Sequence, residues 1–311
     1  MGNGVVVVTG GCGFIGQHLV RRLLELGRPV RVLDDLSNGD AARLPAGVDF
    51  QRGDVADTRF IRAAIVEAEA VFHLAAVASV QQSSERWLAS HLANSAGSVA
   101  VMEAVRDLAP AARFVYASSA AVYGNVELAP GERVSETDPA VPLTPYGVDK
   151  LASEYHAGVA GTLFGLRSFG LRFFNVYGAG QAPDSPYSGV ISRFIDQARL
   201  GGPITIFGDG EQTRDFVHVD DIVGAILAAE NAASTAGPLA NICTGVATSV
   251  NHLASTIAAL FKSAPEVLHL DARPGDIGRS VGDPTRAAQL LGWKASTPVD
   301  KGLANLVTHI S

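Results

Sequence analysis

The chain has 311 residues, of which 47% are hydrophobic and 18% are charged, and its formal net charge at pH 7 is -7. This length and composition indicate a folded protein with one large or two modest domains, and they exclude a disordered chain. The acidic balance, without a basic run, argues against nucleic acid and anionic membrane as partners. No apolar run approaches the roughly 20 residues of a membrane-spanning helix, and the N-terminal apolar block lacks the basic start of a signal peptide. We therefore expect a cytoplasmic protein.

The cysteine content agrees with a reducing compartment. The two cysteines, Cys12 and Cys243, lack the short spacing of a zinc-binding pair and are too few for a disulfide scaffold. We expect both to be buried, small apolar side chains, and we expect no metal site.

The most informative stretch is an apolar block over residues 5–9 that leads into a glycine-rich turn. Its four consecutive valines have the β-branched content of a buried central strand. Glycines follow at positions 10, 11, 13 and 16, and the apolar periodicity of residues 14–26 predicts a helix. A strand, a glycine turn and a helix in this order direct backbone N–H groups toward the pyrophosphate of a dinucleotide.

A second predicted strand, over residues 29–33, ends on Asp34 and Asp35. An acidic side chain about 20 residues beyond such glycines accepts hydrogen bonds from the adenosine ribose hydroxyls and repels the 2′-phosphate of NADP. The pattern therefore favours NAD, with Asp34, the nearer to the strand end, as the ribose ligand. The alternative is that one or both aspartates only stabilise the turn that follows.

Strand-like blocks at residues 5–9, 30–33, 49–52, 70–74, 113–117 and 166–173 alternate with helical segments, among them residues 87–108 and 146–163. This alternation predicts an α/β fold with a doubly wound parallel sheet of the Rossmann type. A long loop and short segments broken by glycine and proline follow Asn175, and they predict a smaller C-terminal substrate domain closing a cleft. We expect the NAD-binding domain to cover residues 1–175, with a return of the chain around residues 213–245, and the substrate domain to cover residues 176–311.

Tyr146 and Lys150 are four residues apart, so they lie on one face of the predicted helix. A nearby ammonium stabilises a phenolate and lowers the pKa of a tyrosine from its usual value of about 10, as acid–base catalysis at neutral pH requires. Ser118 and Ser119 end a strand at the sheet edge that also carries the glycine turn. Alone, a Tyr–Lys pair is more often a surface pair, and the serines are suited to capping a turn. The combination favours catalysis.

Taken together, these motifs resemble the extended short-chain dehydrogenase/reductases, and among them the nucleotide-sugar 4-epimerases. The resemblance runs from about residue 5 to residue 295. The segments that carry it are Thr-Gly-Gly-Cys-Gly-Phe-Ile-Gly, Leu-Asp-Asp-Leu-Ser-Asn-Gly, Gly-Asp-Val, His-Leu-Ala-Ala, Ser-Ser-Ala-Ala-Val-Tyr-Gly, Tyr-x-x-x-Lys and Leu-Arg-Phe-Phe-Asn-Val-Tyr-Gly.

The resemblance implies bound NAD, a UDP-sugar in the cleft, and Ser119, Tyr146 and Lys150 as the catalytic residues. The residues it assigns to NAD are Gly10, Gly13, Phe14, Ile15, Gly16, Asp34, Asp35, Asn38, Gly39, Asp54, Val55, Leu74, Ala75, Ala76, Asn94, Ala117, Ser118, Tyr146, Lys150 and Phe173. The residues it assigns to the UDP-sugar are Ser79, Ser119, Asn175, Gly189, Val190, Ile206, Phe207, Arg214, Arg273, Asp276 and Ser280. Arginine forks suit diphosphate oxygens, and a carboxylate suits a ribose diol. A surface ion pair between Arg214 and Asp215 is the simpler alternative.

Two positions separate the possible reactions. The similar 4,6-dehydratases carry Asp and Glu after the catalytic hydroxyl, and UDP-glucuronate decarboxylases usually carry Glu at the second position. The matching residues here are Ala120 and Ala121, whose methyl groups transfer no protons. We therefore favour a UDP-sugar 4-epimerase. The alternatives are another NAD-dependent sugar-nucleotide enzyme (dehydratase, decarboxylase or reductase) and a non-catalytic NAD-binding protein of the same fold.

The resemblance also bears on the substrate and the assembly. In similar epimerases a bulky tyrosine after the Arg-x-Gly-Asp segment restricts the space at the sugar C2 position, and Ser280 stands there in this chain. A small residue favours UDP-GlcNAc and UDP-GalNAc, with UDP-Glc and UDP-Gal as the second choice. Helices over residues 93–108 and 149–163 carry more Ala and Leu than one face against the sheet requires. In similar proteins these two helices pair across a two-fold axis, so the resemblance implies a homodimer formed through a four-helix bundle.

Overall fold

The computed structural model describes residues 4–181, 189–262, 265–272 and 277–308. In chain order its strands are β1 (Val5–Thr9), β2 (Val30–Asp34), β3 (Asp49–Arg52), β4 (Ala68–His73), β5 (Arg113–Ser119), β6 (Arg167–Phe173), β7 (Asn175–Tyr177), β8 (Ile204–Phe207), β9 (Thr213–Arg214), β10 (Phe216–His218), β11 (Leu239–Ile242), β12 (Thr248–Ser249), β13 (Val267–Leu270) and β14 (Arg279–Ser280). The helices are α1 (Phe14–Glu25), α2 (Thr58–Ile65), α3 (Val80–Glu85), α4 (Trp87–His91), α5 (Gly97–Leu108), α6 (Pro145–Phe164), α7 (Val190–Arg199), α8 (Val219–Ala232), α9 (Val250–Leu260), α10 (Thr285–Leu291) and α11 (Val299–Thr308).

Within the described residues, the largest sheet has seven parallel strands in the order β11-β6-β5-β4-β1-β2-β3. The strand order reverses between β1 and β4, and at such a point the loops from the two carboxyl ends diverge and leave a crevice. The predicted doubly wound parallel sheet is therefore confirmed. The chain leaves this sheet after β6 and returns to it with β11, which pairs with β6.

The first strand explains why the sheet is covered on both faces. Successive residues of β1 point to opposite faces, and Val6, Val7 and Val8 are all fully buried. Val6 and Val8 pack in a core shared with α1, α8 and α10, whereas Val7 packs in a core shared with α2, α5 and α6. The four-valine block is thus the centre of a three-layer structure.

A second, smaller core lies outside this sheet. Helices α7, α9 and α11 enclose apolar residues of β8 and β10. Strand β8 pairs with β13, and β9 lies between β12 and β14 in a small three-stranded sheet. These short strands place β9 and β14 side by side.

The expectation that both cysteines are buried is met in this architecture. Cys12 and Cys243 are both free and buried. In the described part of the chain, none of the helices has the length and apolarity needed to cross a membrane.

Candidate active site

The glycine turn after β1 has the geometry of a phosphate cradle. Gly10 has a φ of +69°, which favours glycine, and a Cβ there would approach the Ala75 nitrogen to 2.7 Å. Gly13 is the N-cap residue of α1 and makes no side-chain cap, so the first-turn N–H groups remain available to an anion. The turn therefore fits the pyrophosphate of a dinucleotide. Phe14 and Ile15, in that first turn, are half-buried.

Asp34 lies beside this turn at the end of β2. Its carboxylate accepts hydrogen bonds from the backbone N–H of Cys12 and of Leu36, both at 2.9 Å. Each carboxylate oxygen retains capacity for a further hydrogen bond, as from a ribose hydroxyl. The neighbouring Asp35 is exposed and accepts from the N–H of Ser37 at 2.8 Å, which is the turn role considered for one of the two aspartates.

The other residues assigned to NAD by resemblance line the same sheet edge or support it. Asn38 and Asp54 are exposed, Gly39 lies against Cys12, and Val55 and Phe173 are buried. Asn94 is buried and binds both backbone groups of Val77, with its Oδ1 2.7 Å from the Val77 nitrogen. Leu74, Ala75, Ala76 and Ala117 are half-buried at the ends of β4 and β5.

Tyr146 and Ser119 meet where α6 begins beside the end of β5. Thr144 caps α6 by accepting the Gly147 N–H at 3.2 Å, which places Tyr146 in the first turn. A Cβ on Gly147 would approach the Ala121 carbonyl oxygen to 2.5 Å, so glycine allows α6 to lie close to the turn after β5. In this arrangement Ser119 is near enough to the Tyr146 hydroxyl to favour its ionised form.

Lys150 lies one turn further along α6 and is almost completely buried. Its Nζ donates to the Ala117 carbonyl oxygen at 2.8 Å and stands 5.8 Å from the centroid of the Tyr146 ring. The structure thus brings the predicted Ser119, Tyr146 and Lys150 together at the carboxyl edge of the sheet.

Burial dominates the electrostatics of this set. It lowers the pKa of Lys150 to about 8, although the nearby Asp149 and Glu154 carboxylates oppose the shift. Burial also raises the pKa of Tyr146, and the nearby Ser119 side chain opposes that shift. The expectation of a lowered tyrosine pKa is therefore not met by the protein groups alone, because desolvation of the phenolate exceeds their stabilising effect.

The Ser118 side chain points to the other side of β5. It donates to Glu154 Oε1 at 2.5 Å, in a buried cluster that also holds Arg172. Its hydroxyl is therefore bonded within the protein. Only the main chain of Ser118 is left to contact the cofactor.

The small three-stranded sheet carries two of the predicted substrate residues. Arg214 on β9 and Ser280 on β14 are register partners in a parallel pair, and both are half-buried. Register partners project from the same face of a sheet, so the proposed diphosphate and sugar contacts are neighbours. Asp215 is fully buried and accepts from the Thr244 and Gly245 N–H groups, each at 2.8 Å. It therefore forms no surface ion pair with Arg214, and that simpler alternative is wrong.

The remaining substrate assignments differ in their surroundings. Asn175 is exposed at the start of β7, and Ser79 accepts the Gln82 N–H at 3.0 Å as the cap of α3. Gly189 and Val190 begin α7. The Ile206 side chain belongs to the second core, whereas Phe207 is half-buried, so Ile206 has only its main chain to offer a ligand. Arg273 and Asp276 lie outside the described residues.

Four buried polar residues behind the site were not predicted from the sequence. These are Glu154, Arg172, Tyr123 and Asn241, which are hydrogen-bonded to one another. The signal was present, since an arginine within a predicted buried strand requires a partner. Glu154 is also four residues after Lys150, on the same helix face.

A dinucleotide-type glycine turn, at the same sheet edge as a tyrosine–lysine pair on one helix, defines an NAD-dependent enzyme of the extended short-chain dehydrogenase/reductase class. The model of the NAD dependent epimerase/dehydratase family matches residues 6–243. The chain belongs to this family, as the sequence motifs predicted, and its cofactor is NAD.

Individual relatives match over nearly the whole chain. The UDP-glucose 4-epimerase of Mycolicibacterium smegmatis is 37% identical over 313 residues, covering 97% of this chain and 96% of the relative. The structure of a UDP-glucose 4-epimerase from Thermus thermophilus in complex with NAD has a TM-score of 0.90, 35% identity and 98% coverage of both chains. That of a UDP-N-acetylglucosamine 4-epimerase from Methanobrevibacter ruminantium, in complex with UDP-N-acetylmuramic acid, has a TM-score of 0.91, 31% identity, and coverage of 100% of this chain and 99% of the other.

Proposed function

We propose that this protein is a UDP-sugar 4-epimerase that interconverts UDP-GlcNAc and UDP-GalNAc, with UDP-Glc and UDP-Gal as a second pair. The observation that carries the reaction type is the approach of Ser119 to Tyr146 at the carboxyl end of β5, together with the buried ammonium of Lys150. The names of the relatives support the same reaction class.

Each residue has a definable part in this reaction. Tyr146 takes the proton of the sugar 4-hydroxyl, Ser119 orients that hydroxyl, and Lys150 stabilises the phenolate. Bound NAD supplies a hydride acceptor that returns the hydride at the end of each cycle. The 4-keto sugar rotates in the site between the two hydride transfers. Neither step therefore requires a second acid or base from the protein.

The residues after Ser119 support epimerisation over elimination. Ala120 and Ala121 form the short turn after β5, and the Ala121 N–H donates to Ser119 Oγ at 3.1 Å. Elimination across C5 and C6 requires a group that removes the C5 proton and another that protonates the leaving hydroxyl. Methyl side chains at these two positions supply neither.

Ser280 supports the N-acetylated pair. It is the register partner of Arg214, so a sugar whose diphosphate contacts Arg214 presents its nearest substituents to this strand. A serine leaves room for an acetamido group, and it also admits a hydroxyl, which keeps UDP-Glc and UDP-Gal as the second pair. The Mycolicibacterium smegmatis and Thermus thermophilus relatives carry the UDP-glucose name and favour that second pair.

The test combines product analysis with a redox measurement. Purified protein is incubated with UDP-GlcNAc, UDP-GalNAc, UDP-Glc or UDP-Gal, and products are identified by NMR while NADH absorbance is followed. An epimerase yields the C4 epimer without net NADH. Loss of water, loss of carbon dioxide or stoichiometric NADH would identify a dehydratase, decarboxylase or dehydrogenase instead, and no turnover of any UDP-sugar would indicate a non-catalytic protein.

The sequence predicted residues 93–108 as the second helix of a dimer interface, but the apolar side chains of α5 are buried or half-buried. We therefore propose that two copies associate through α6 and residues 87–92, which precede α5. On α6, Tyr155, Val159 and Leu163 are all more than half exposed, at spacings that place them along one stripe. Leu88 and Leu92 lie exposed on the neighbouring segment. A contiguous exposed apolar face of two adjacent helices is the kind of surface that a second copy covers in a four-helix bundle.

A further inference from the structure

A buried ion pair lies directly behind the catalytic edge. Glu154 on α6 and Arg172 on β6 are 7% and 5% exposed. Arg172 Nε donates to Glu154 Oε1 at 2.9 Å, and Nη2 donates to Oε2 at 2.6 Å. This fork geometry is the strongest form of a carboxylate–guanidinium contact, and its burial makes the loss of either partner costly.

The pair is linked to the strand that carries the catalytic serine. Ser118 Oγ donates to Glu154 Oε1 at 2.5 Å, and Ser118 is the register partner of Arg172. Ser119 follows directly. Glu154 therefore contacts the end of strand β5, and it belongs to α6, the helix that carries Tyr146.

On its other side the pair holds the turn after β5. Arg172 Nη1 donates to the Tyr123 hydroxyl at 2.8 Å, and that hydroxyl donates to Asn241 Oδ1 at 2.6 Å. Asn241 Nδ2 donates to the Val134 carbonyl oxygen at 3.0 Å, and the Val134 N–H donates to the carbonyl oxygen of Val281, next to Ser280, at 2.9 Å. One continuous set of hydrogen bonds thus joins the end of β5 to Val281, the neighbour of the proposed sugar contact Ser280.

We propose that Glu154 and Arg172 are positioning residues for the proposed epimerase, an inference that rests on the proposed function. Their ion pair fixes α6 against the end of β5, so that Tyr146 meets Ser119 and Lys150 reaches Ala117. Neither residue touches the reacting atoms. Tyr146, Lys150 and Glu154 occupy positions i, i+4 and i+8, so a shift at Glu154 is transmitted along one face of the helix.

The charges around Lys150 give this role a measurable signature. Asp149 and Glu154 face the ammonium from α6, Tyr146 lies beside it, and His73 faces it from β4. Burial lowers the pKa of Lys150, and the two carboxylates oppose that shift. Removing the Glu154 charge leaves Arg172 uncompensated nearby, so both changes disfavour the ammonium and lower the pKa of Lys150 further.

The test is Glu154→Gln in the NAD-loaded enzyme, with kcat and KM for the best UDP-sugar measured across pH. We expect kcat to fall about 10- to 100-fold, as for a small misplacement of reacting groups, with KM changed far less. We also expect the alkaline limb of the kcat profile to move to lower pH. Glu154→Asp, which keeps the charge on a shorter side chain, is expected to lower kcat while leaving the alkaline limb in place.

The matched control is Glu230→Gln, which breaks a second Arg–Glu fork in the same sheet domain. Arg28 Nη1 and Nη2 donate to Glu230 Oε2 and Oε1, both at 2.7 Å, on α8 away from the site. We expect this variant to lose thermal stability with an unchanged alkaline limb. Similar kinetics for the Glu154→Gln and Glu230→Gln variants would overturn the positioning role. If Glu154→Gln does not fold, wild-type kcat in Glu154→Asp overturns it. An inactive wild type would instead overturn the proposed function, and this inference with it.

Discussion

Lys150 Nζ donates a 2.8 Å hydrogen bond to the carbonyl oxygen of Ala117, two residues before the catalytic-edge Ser119. This contact ties the helix that carries Tyr146 to the strand that carries the serine. It also holds an ammonium in a site where the side chain is only 3% exposed. A charge buried for chemistry at the expense of folding energy is typical of an active site.

The first prediction concerns the loss of folding stability that burial of the Lys150 ammonium causes. The pKa of Lys150 is lowered from 10.5 to about 8, which corresponds to roughly 3 kcal/mol of destabilisation while the ammonium is present. We expect Lys150→Met to abolish turnover, yet to raise the free energy of unfolding of the cofactor-free protein at pH 7 by about 1–3 kcal/mol, because the lost hydrogen bond offsets part of the gain.

The pH dependence gives this prediction its check. Above pH 8 the native lysine is neutral, whereas the unfolded lysine stays protonated up to its pKa of 10.5. Wild-type stability therefore rises with pH in this window, and the advantage of Lys150→Met shrinks. Denaturant titrations of both proteins at pH 7 and pH 9.5 measure it. A variant less stable than wild type at pH 7 would contradict the prediction.

The second prediction concerns the acid–base pair. Tyr146→Phe removes the group placed to take the 4-hydroxyl proton, so we expect a loss of turnover of at least about 100-fold with the fold and NAD content retained. Ser119→Ala is expected to be slower than wild type but less affected, because a water molecule replaces part of the hydroxyl's function. Tyr155→Phe, an exposed tyrosine on the same helix, is the control and should leave kcat unchanged. Near-wild-type turnover in Tyr146→Phe would refute the assignment.

The parallel sheet, and the approach of Ser119, Tyr146 and Lys150 at its carboxyl edge, could be predicted because local signals in the sequence determine them. Val5–Thr9 and the following glycines specify a buried strand and a turn by themselves, and the one-turn spacing of Tyr146 and Lys150 is visible in any helix. The pKa of Tyr146 was not accessible, since its direction depends on how completely the folded chain removes the hydroxyl from water.

Long-range partners were equally out of reach. Ser118 was assigned to the cofactor, but its hydroxyl bonds to Glu154, 36 residues away in the chain. Asp215 was considered for a surface pair, but its partners Thr244 and Gly245 come from the loop after β11. Such contacts follow from the strand order, which a single sequence does not specify.

The third prediction separates the two adjacent aspartates. Asp34 holds Cys12 and Leu36 and has lone pairs left for the ribose, whereas Asp35 is exposed and bonds to Ser37. We expect Asp34→Ala to weaken NAD binding by about 10-fold or more, since hydrogen bonds to a charged group contribute about 1.5–3 kcal/mol. Asp35→Ala is the control and should bind NAD within about twofold of wild type.

Calorimetric titration of cofactor-free protein provides the measurement, and NADP is titrated alongside NAD. Removing the Asp34 carboxylate also removes its repulsion of the 2′-phosphate of NADP. The ratio of NAD affinity to NADP affinity should therefore fall in Asp34→Ala and not in Asp35→Ala. Equal losses in both variants would show that Asp34 has no special role at the ribose.

The fourth prediction concerns the assembly. Leu163 and Val159 are 67% and 53% exposed on the face of α6 proposed to meet a second copy. We expect Val159→Glu/Leu163→Glu to convert a dimer into a monomer at micromolar concentration, because carboxylates buried at an apolar interface are unpaired. Leu200→Glu, at a residue 72% exposed at the end of α7, is the control and should stay dimeric. Light scattering that finds wild-type monomer would contradict the assembly itself.

The last prediction concerns the choice of sugar. Ser280 and Arg214 are register partners on β14 and β9, so a substrate whose diphosphate contacts Arg214 brings its sugar ring close to Ser280. Ser280→Tyr places a bulky ring in that space, and overpacking of this kind costs about 1–3 kcal/mol, equal to about 5- to 150-fold in kcat/KM. We expect this loss for UDP-GlcNAc, whose acetamido group needs the room, and a much smaller one for UDP-Glc.

Ser280→Ala keeps the space open and should preserve the wild-type ratio of the two substrates. Competition assays with both sugars in one mixture measure that ratio directly. Equal losses in Ser280→Tyr, or a wild type that ignores UDP-GlcNAc, would remove Ser280 as the residue that selects the sugar.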